Sequence, residues 1–170
     1  MAAAVDSANP ANNGSLIDWV VLTRGDRPAA LAAAVTSLRA SATTGSIVVV
    51  LNGPEVGTTI ELSDGFSDGF SDGFSDDRVI VVESAENLGV PGGRDLGLES
   101  TQTPLVGFLD DDARLVSTDS LGSVIQQFAT DHSLGAMSLR LVDEDGNTSR
   151  RHVPRRGTRG ADRSGPVVTF

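Results

Sequence analysis

A chain of 170 residues, of which 39% are hydrophobic, is long enough to form one domain with a buried core. It contains no cysteine, which excludes disulfides, thiolate metal sites and a cysteine nucleophile. Its formal net charge of −10 argues against nonspecific nucleic-acid binding.

The predicted elements begin after residues 1–15, a polar leader without the basic and apolar regions of a signal peptide, which we expect to be disordered. Short apolar runs typical of buried strands then alternate with segments whose apolar residues have helical spacing. In chain order we predict a strand at 18–23, a helix at 28–41, strands at 46–53 and 78–84, a helix at 92–100, a strand at 105–109 and a helix at 120–131.

Three further segments lie within or after this core pattern. Residues 63–77 repeat the sequence Ser-Asp-Gly-Phe three times in tandem, which matches no known solenoid period. We interpret them as a surface loop between the second and third strands, with calcium or partner binding as the alternative. Residues 134–151 are predicted to form a strand, a turn and a return strand. Residues 150–170 carry 6 arginines against 1 acid, so they could contact a phosphate or an anionic membrane surface.

Strands that lack polar alternation and are separated by helices predict an α/β fold, with a mostly parallel, Rossmann-like sheet and helices on both faces. In such sheets, ligands bind beyond the C-terminal ends of the strands. The polar and glycine-rich residues cluster at these ends, in segments 23–27, 51–54, 84–94 and 110–112. We therefore expect the site at this edge of the sheet.

No apolar run reaches the roughly 18 residues of a membrane span. We expect a cytoplasmic protein.

The most unusual strand end is an aspartate triplet, Asp110, Asp111 and Asp112, which follows the apolar run at 105–109. At about 5 Å and an effective dielectric near 20, each neighbouring pair of carboxylates repels by about 3 kcal/mol. Open water, an arginine or a cation must therefore compensate the charges. A divalent cation with oxygen ligands would do so and would also bridge to phosphate oxygens.

A glycine-rich segment at 86–95 approaches the predicted helix at 92–100 and places Arg94 in its first turn. Free backbone amides at a helix start and a nearby guanidinium both suit a diphosphate. Asn52, after the second strand, can hydrogen-bond a base or a ribose. Together with the aspartates, these residues describe a nucleotide-diphosphate site.

The order of "TRGDRP", "VVLNG", "ENLGVPGGRDLGL" and "FLDDDARL" along the chain resembles the N-terminal, donor-binding half of family 2 glycosyltransferases of the GT-A fold. Among them the chain is most similar to bacterial enzymes that transfer sugars such as rhamnose or galactose, and the resemblance covers about residues 16–150. It implies transfer of a sugar from a nucleotide-diphosphate-sugar to a carbohydrate or lipid-linked acceptor, assisted by Mg²⁺ or Mn²⁺. Such an enzyme would be cytoplasmic or peripheral to the inner face of the membrane.

The resemblance also implies roles for individual residues. Asp110 and Asp112 match the motif that coordinates the divalent cation. The donor-binding positions are Thr23, Arg24, Asn52, Asn87, Gly93, Arg94, Asp110 and Asp111. The catalytic base is not identified by any motif in this chain.

Two departures from the family pattern bear on function. Leu51 stands where the family usually has an acid that recognises the base. The family's acceptor-binding half and its catalytic base would follow Phe170, so we expect residues 16–170 to be the nucleotide-sugar-binding part of a truncated domain. The alternative function is therefore a catalytically incomplete fragment that binds a nucleotide-sugar without transferring it.

Three other α/β enzyme or signalling classes fit less well. A phosphorylation receiver domain and a sugar nucleotidyltransferase each need a lysine, and all basic residues here are arginine or histidine. A haloacid-dehalogenase-type phosphatase carries its aspartate motif after an early strand rather than a late one.

Overall fold

The computed structural model describes residues 16–53, 78–143 and 145–147. The predictions for the leader at 1–15, the repeat at 63–77 and the arginine-rich segment at 150–170 lie outside these residues. The described elements, in chain order, are β1 (Ile17–Thr23), α1 (Pro28–Arg39), β2 (Thr44–Asn52), β3 (Val79–Ser84), α2 (Gly89–Leu98), β4 (Leu105–Asp110) and α3 (Asp119–Thr130). None of the helices within these residues has the length and apolar character needed to span a membrane.

The four described strands form one sheet in the order β3-β2-β1-β4. Every neighbouring pair is parallel, with Thr23 of β1 opposite Leu51 of β2 and Leu22 opposite Asp110 of β4. The carboxyl ends of β1, β2 and β4 therefore lie side by side at one edge. The predicted α/β architecture with a parallel sheet is confirmed.

The two helices that cross between strands cover opposite faces of this sheet. The β1-to-β2 connection through α1 and the β3-to-β4 connection through α2 run in opposite directions across the strand order. Because parallel crossovers are right-handed, they place α1 and α2 on different faces. Both helices pack against β1 and β2, which makes these two strands the buried centre of the fold.

Alternate residues of the central strands fill the two faces, as the period of a strand requires. On one face, Val20, Val48 and Val50 form a core against which Leu96 of α2 packs. On the other, Trp19 and Val21 are at most 4% exposed. The apolar stripe of α1 is also buried, and consists of Leu31, Ala34, Val35 and Leu38.

A buried carboxylate joins the strands at the opposite, amino-terminal edge. Asp18 is 1% exposed, and its oxygens accept hydrogen bonds from the backbone N–H groups of Ser46 at 2.7 Å, Gln102 at 2.7 Å and Thr103 at 3.1 Å. Hydrogen bonds of this kind compensate the burial of a charge. Asp18 of β1 thus fixes the beginnings of β2 and β4 relative to its own strand.

The structure differs from the predicted elements in two places. Helix α2 begins at Gly89, three residues before the predicted start, because Pro91 is tolerated in the first turn, where its missing N–H is not needed. Residues 134–141 form no strand and Val142 lies in a single β-bridge, so the first strand of the predicted hairpin is wrong over 134–141, and its return strand lies outside the described residues.

The chain divides into two compact units, Met1–Ile125 and Gln126–Phe170. The first contains the sheet, α1 and α2. Within the second, the turn predicted after residue 142 is present. Asp143 accepts hydrogen bonds from the N–H groups of Asp145 and Asn147 through its side chain, and Gly146 adopts a φ of 79° that glycine tolerates without strain.

Close packing of α2 on the sheet gives a stability prediction. A Cβ on Gly97 would lie 2.4 Å from Val20 Cγ1 and 2.9 Å from Val50 Cγ2. Gly97→Ala should therefore destabilise the fold by about 1–3 kcal/mol through overpacking, despite the better helix propensity of alanine. Chemical denaturation monitored by circular dichroism measures this change.

Gly122→Ala in α3 is the matched control, because no atom lies within 4 Å of a Cβ at that position. This control should be neutral or should stabilise the protein by up to about 1 kcal/mol. Equal effects of the two substitutions would contradict the close approach of α2 to the sheet.

Candidate functional site

The middle aspartate of the triplet turns into the protein. Asp111 is 2% exposed, and its Oδ2 accepts a hydrogen bond from Thr23 Oγ1 at 2.6 Å. Its Oδ1 lies 2.7 Å from Arg27 Nη2. Thr23 Oγ1 also accepts the backbone N–H of Gly25 at 2.9 Å. The end of β1, the loop that follows it and the end of β4 are therefore held together around one buried charge.

Arg27 connects the buried aspartate to an exposed one. Its Nη1 donates to Asp112 Oδ2, while its Nε lies 3.9 Å from Asp26 Oδ1. The Arg27 side chain is 49% exposed and that of Asp112 is 56% exposed. The hydrogen bond to Asp112 and the charge of Asp111 raise the pKa of Arg27 above its usual value. The guanidinium is therefore positively charged at neutral pH.

The first aspartate pairs with an arginine from the other side of the sheet. Arg94 Nη2 lies 3.0 Å from Asp110 Oδ1, and the Arg94 guanidinium carbon lies 5.3 Å from the centre of the Phe108 ring, within the range of a cation–π contact. The Asp110 side chain is 67% exposed. Of the three possible ways to relieve the repulsion within the triplet, the described residues use arginine, one from each face of the sheet.

Asn52 organises the loop between β3 and α2. It is 3% exposed, its Oδ1 accepts the Leu88 N–H at 2.9 Å, and its Nδ2 donates to Gly89 O at 3.0 Å and to Asn87 Oδ1 at 3.3 Å. Asn87 Oδ1 also accepts the Gly89 N–H at 2.9 Å. Asn52 thus fixes the backbone at the start of α2 with its whole amide group, and its predicted contact with a base or ribose remains a prediction.

Two glycines let this loop and helix approach the strands. Gly53 adopts a φ of 62°, and a Cβ there would lie 2.3 Å from the backbone nitrogen of Asn87. A Cβ on Gly93 would lie 2.4 Å from Leu22 Cδ1 and 3.0 Å from Asn52 Nδ2. Gly93, predicted as a donor contact, is buried, and the contact visible here is its close packing on the sheet.

The remaining predicted residues also lie at this edge. Arg24 is exposed in the loop after β1, next to Thr23. Arg27 was not predicted as a site residue, although its segment was. The alternation of side chains along a strand could have pointed to Arg27, because consecutive residues at the end of β4 point to opposite faces. Asp110 and Asp111 therefore require different partners, and the segment at 23–27 offers Arg24 and Arg27 as basic candidates for the second of them.

The fit of a divalent cation depends on which carboxylates are available. No group of three His, Cys, Asp or Glu residues gathers in the described ranges, and Asp111 is occupied by Thr23 and Arg27. Asp110 and Asp112 are both exposed carboxylates. Mg²⁺ in phosphate sites is commonly held by one or two carboxylates together with substrate phosphates. Each of them is paired with one arginine but is more than half exposed, so either could exchange that arginine for a cation that is completed by a diphosphate.

The hydrogen bond between Thr23 and Asp111 gives a second prediction. Thr23→Val keeps the shape of the side chain but removes a donor to a buried carboxylate, which should destabilise the protein by about 1–3 kcal/mol. Thr36→Val, at an exposed position of α1, makes the same chemical change and should have little effect. Equal unfolding free energies for the two variants, measured in urea, would refute a stabilising role for this bond.

Comparison with known proteins identifies the family. The model of glycosyl transferase family 2 matches residues 19–169. A solved structure of S. aureus TarS, residues 1–349, has a similar fold, with a TM-score of 0.51 at 16% sequence identity. The match covers 69% of this chain and 33% of the TarS chain, so this chain spans about a third of the length of that structure. No curated protein matches significantly. The chain belongs to glycosyl transferase family 2.

Proposed function

We propose that this chain forms the donor-binding part of a glycosyltransferase, which transfers a sugar from a nucleotide-diphosphate-sugar to a carbohydrate or lipid-linked acceptor. The observation that carries the proposal is the pairing of two arginines with three aspartates at the carboxyl edge of the sheet. A nucleoside diphosphate and its cation need both signs of charge in one place. Membership in family 2 connects that arrangement to sugar transfer.

The diphosphate would lie against the start of α2. Arg94 is 36% exposed on its side chain, so its guanidinium is accessible to a ligand, and Arg24 is exposed in the neighbouring loop. The first N–H groups of a helix lack intrahelical acceptors and attract anions. Asn52 and Asn87 shape the backbone of this turn. In the proposed site they orient the first N–H groups of α2 toward the diphosphate. Asn87 is exposed and is therefore available to contact the nucleoside.

Asp110 and Asp112 would hold Mg²⁺ or Mn²⁺, which when bound supplies electrostatic stabilisation of the departing nucleoside diphosphate. Asp111 was predicted among the donor contacts. Because it is buried and bonded to Thr23 and Arg27, we propose that it positions these two residues rather than contacting the donor.

A second candidate function is binding of a nucleotide-sugar without its transfer. It is supported by the described residues, which provide no candidate for the catalytic base. For either function we propose a cytoplasmic location, free or peripheral to the inner face of the membrane, where the 6 arginines of residues 150–170 could contact an anionic surface.

Nucleotide binding tests the donor site directly. We expect calorimetric titration with UDP, dTDP and GDP to show binding of at least one of them, and Mn²⁺ should strengthen it. Asp112→Asn should weaken binding in the presence of Mn²⁺ by at least about tenfold, since it removes a proposed cation ligand.

Glu99→Gln is the control for this titration. It removes one negative charge at the carboxyl end of α2, the opposite end from the proposed site, and should leave nucleotide affinity unchanged. A folded wild-type protein that binds none of the three nucleotides would overturn the donor-site proposal.

The two candidate functions are then separated by product formation. The nucleotide-sugar whose nucleotide binds is incubated with the protein and Mn²⁺, and the release of nucleoside diphosphate is measured over time. Release above the buffer control supports an active transferase, whereas binding without release supports the donor-binding fragment.

A further inference from the structure

Arg27 holds two carboxylates that differ sharply in exposure. Its Nη2 is 2.7 Å from Oδ1 of Asp111, whose side chain is 3% exposed. Its Nη1 donates to Asp112, whose side chain is 56% exposed. One guanidinium thus spans a buried and an exposed negative charge, and the two bonds have different consequences when they break.

The bond to Asp111 is the durable one. Breaking it would leave a buried carboxylate with Thr23 as its remaining partner among the described contacts, and an uncompensated buried charge is strongly unfavourable. The bond to Asp112 joins two half-exposed groups, and water screens and replaces such pairs readily. Arg27 therefore stays anchored on Asp111 while its other nitrogen can exchange partners.

The exchange connects this geometry to the proposed donor site, on which the inference rests. Asp112 is one of the two carboxylates that would hold the cation, so a cation and Arg27 compete for the same group. Once Asp112 is taken by the cation, the Nη1 donor of Arg27 loses its acceptor and lies beside the cation to which the diphosphate would be bound. A phosphate oxygen is the acceptor that a guanidinium prefers there.

We propose that Arg27 is a further donor-binding residue, which occupies Asp112 in the free protein and transfers its Nη1 donor to the diphosphate when a divalent cation takes Asp112. In the absence of nucleotide, Arg27 weakens cation binding because it neutralises a ligand. In the presence of nucleotide, it strengthens the complex. Cation and nucleotide binding are thereby coupled through one side chain.

The proposal predicts opposite effects of one substitution on two equilibria. In Arg27→Gln, Mn²⁺ without nucleotide should bind at least about threefold more tightly than in the wild type, since the competing ion pair is gone. With Mn²⁺ saturating, the nucleoside diphosphate should bind about tenfold or more weakly, since a charge-assisted hydrogen bond is lost. Free Mn²⁺ is measured by electron paramagnetic resonance, and nucleotide binding by calorimetry.

Two further variants keep the test decisive. Arg27→Lys retains the charge, so it should restore wild-type Mn²⁺ affinity and part of the nucleotide affinity. Arg39→Gln, in the last turn of the same helix α1, removes one positive charge at the far end of the helix and should change neither equilibrium. Thermal unfolding of every variant establishes whether it is folded.

The results separate this inference from the proposed function. A merely structural Arg27 predicts that Arg27→Gln loses Mn²⁺ and nucleotide affinity together, and unchanged or weaker Mn²⁺ binding in a folded variant overturns the proposal. If Arg27→Gln does not fold, the decision passes to Arg27→Lys, in which wild-type Mn²⁺ affinity supports the proposal and weaker Mn²⁺ binding overturns it. The Mn²⁺ measurement needs no nucleotide, so it is separate from the test of the donor site. A wild-type protein that binds Mn²⁺ but no nucleotide would contradict the donor site.

Discussion

The carboxyl edge of this sheet depends on how three consecutive negative charges are accommodated where β4 ends. Their mutual repulsion would oppose the folded position of that strand end unless positive charges or hydrogen-bond donors compensated it. The strand supplies the solution through its geometry, because adjacent side chains point to opposite faces. Asp110 meets Arg94 of α2 on one face, and Asp111 meets Thr23 and Arg27 on the other.

This division explains why the site is assembled from distant parts of the chain. Arg27 immediately precedes α1, whereas Arg94 lies within α2, and the two helices cover different faces of the sheet. Each helix therefore delivers one positive charge to the same strand end. A domain with helices on one face alone would leave one of the outer aspartates without such a partner.

The sequence predicted the strands and the parallel sheet because their residues are buried on both faces and therefore lack polar alternation. It also predicted that the polar strand ends would share one edge. It did not predict that Asp111 turns into the protein, because the family resemblance implied that this residue contacts the donor. It also assigned residues 134–141 to a strand, although that short apolar pattern is compatible with extended chain that has no pairing partner.

The same limit applies to Asn52 and Gly93. Both were predicted from their positions near a nucleotide site, and both are buried in contacts that the sequence could not reveal. Asn52 saturates its amide on residues 87–89, and Gly93 lacks the space for any side chain. Position along the chain indicated that these residues share one edge of the sheet, but only packing shows which side chains are exposed there and which hold the edge in shape.

The hydrogen bonds that the buried Asp18 carboxylate accepts have a consequence for the order in which the molecule folds. Its partners lie 28, 84 and 85 residues further along the chain, so these contacts are among the most nonlocal in the domain. Nonlocal contacts form late because long loops must close first. During synthesis, the strand that carries Asp18 must remain partly solvated until residues 102 and 103 have left the ribosome. Of the four described strands, β1 is thus the first to be made and among the last to be fully buried.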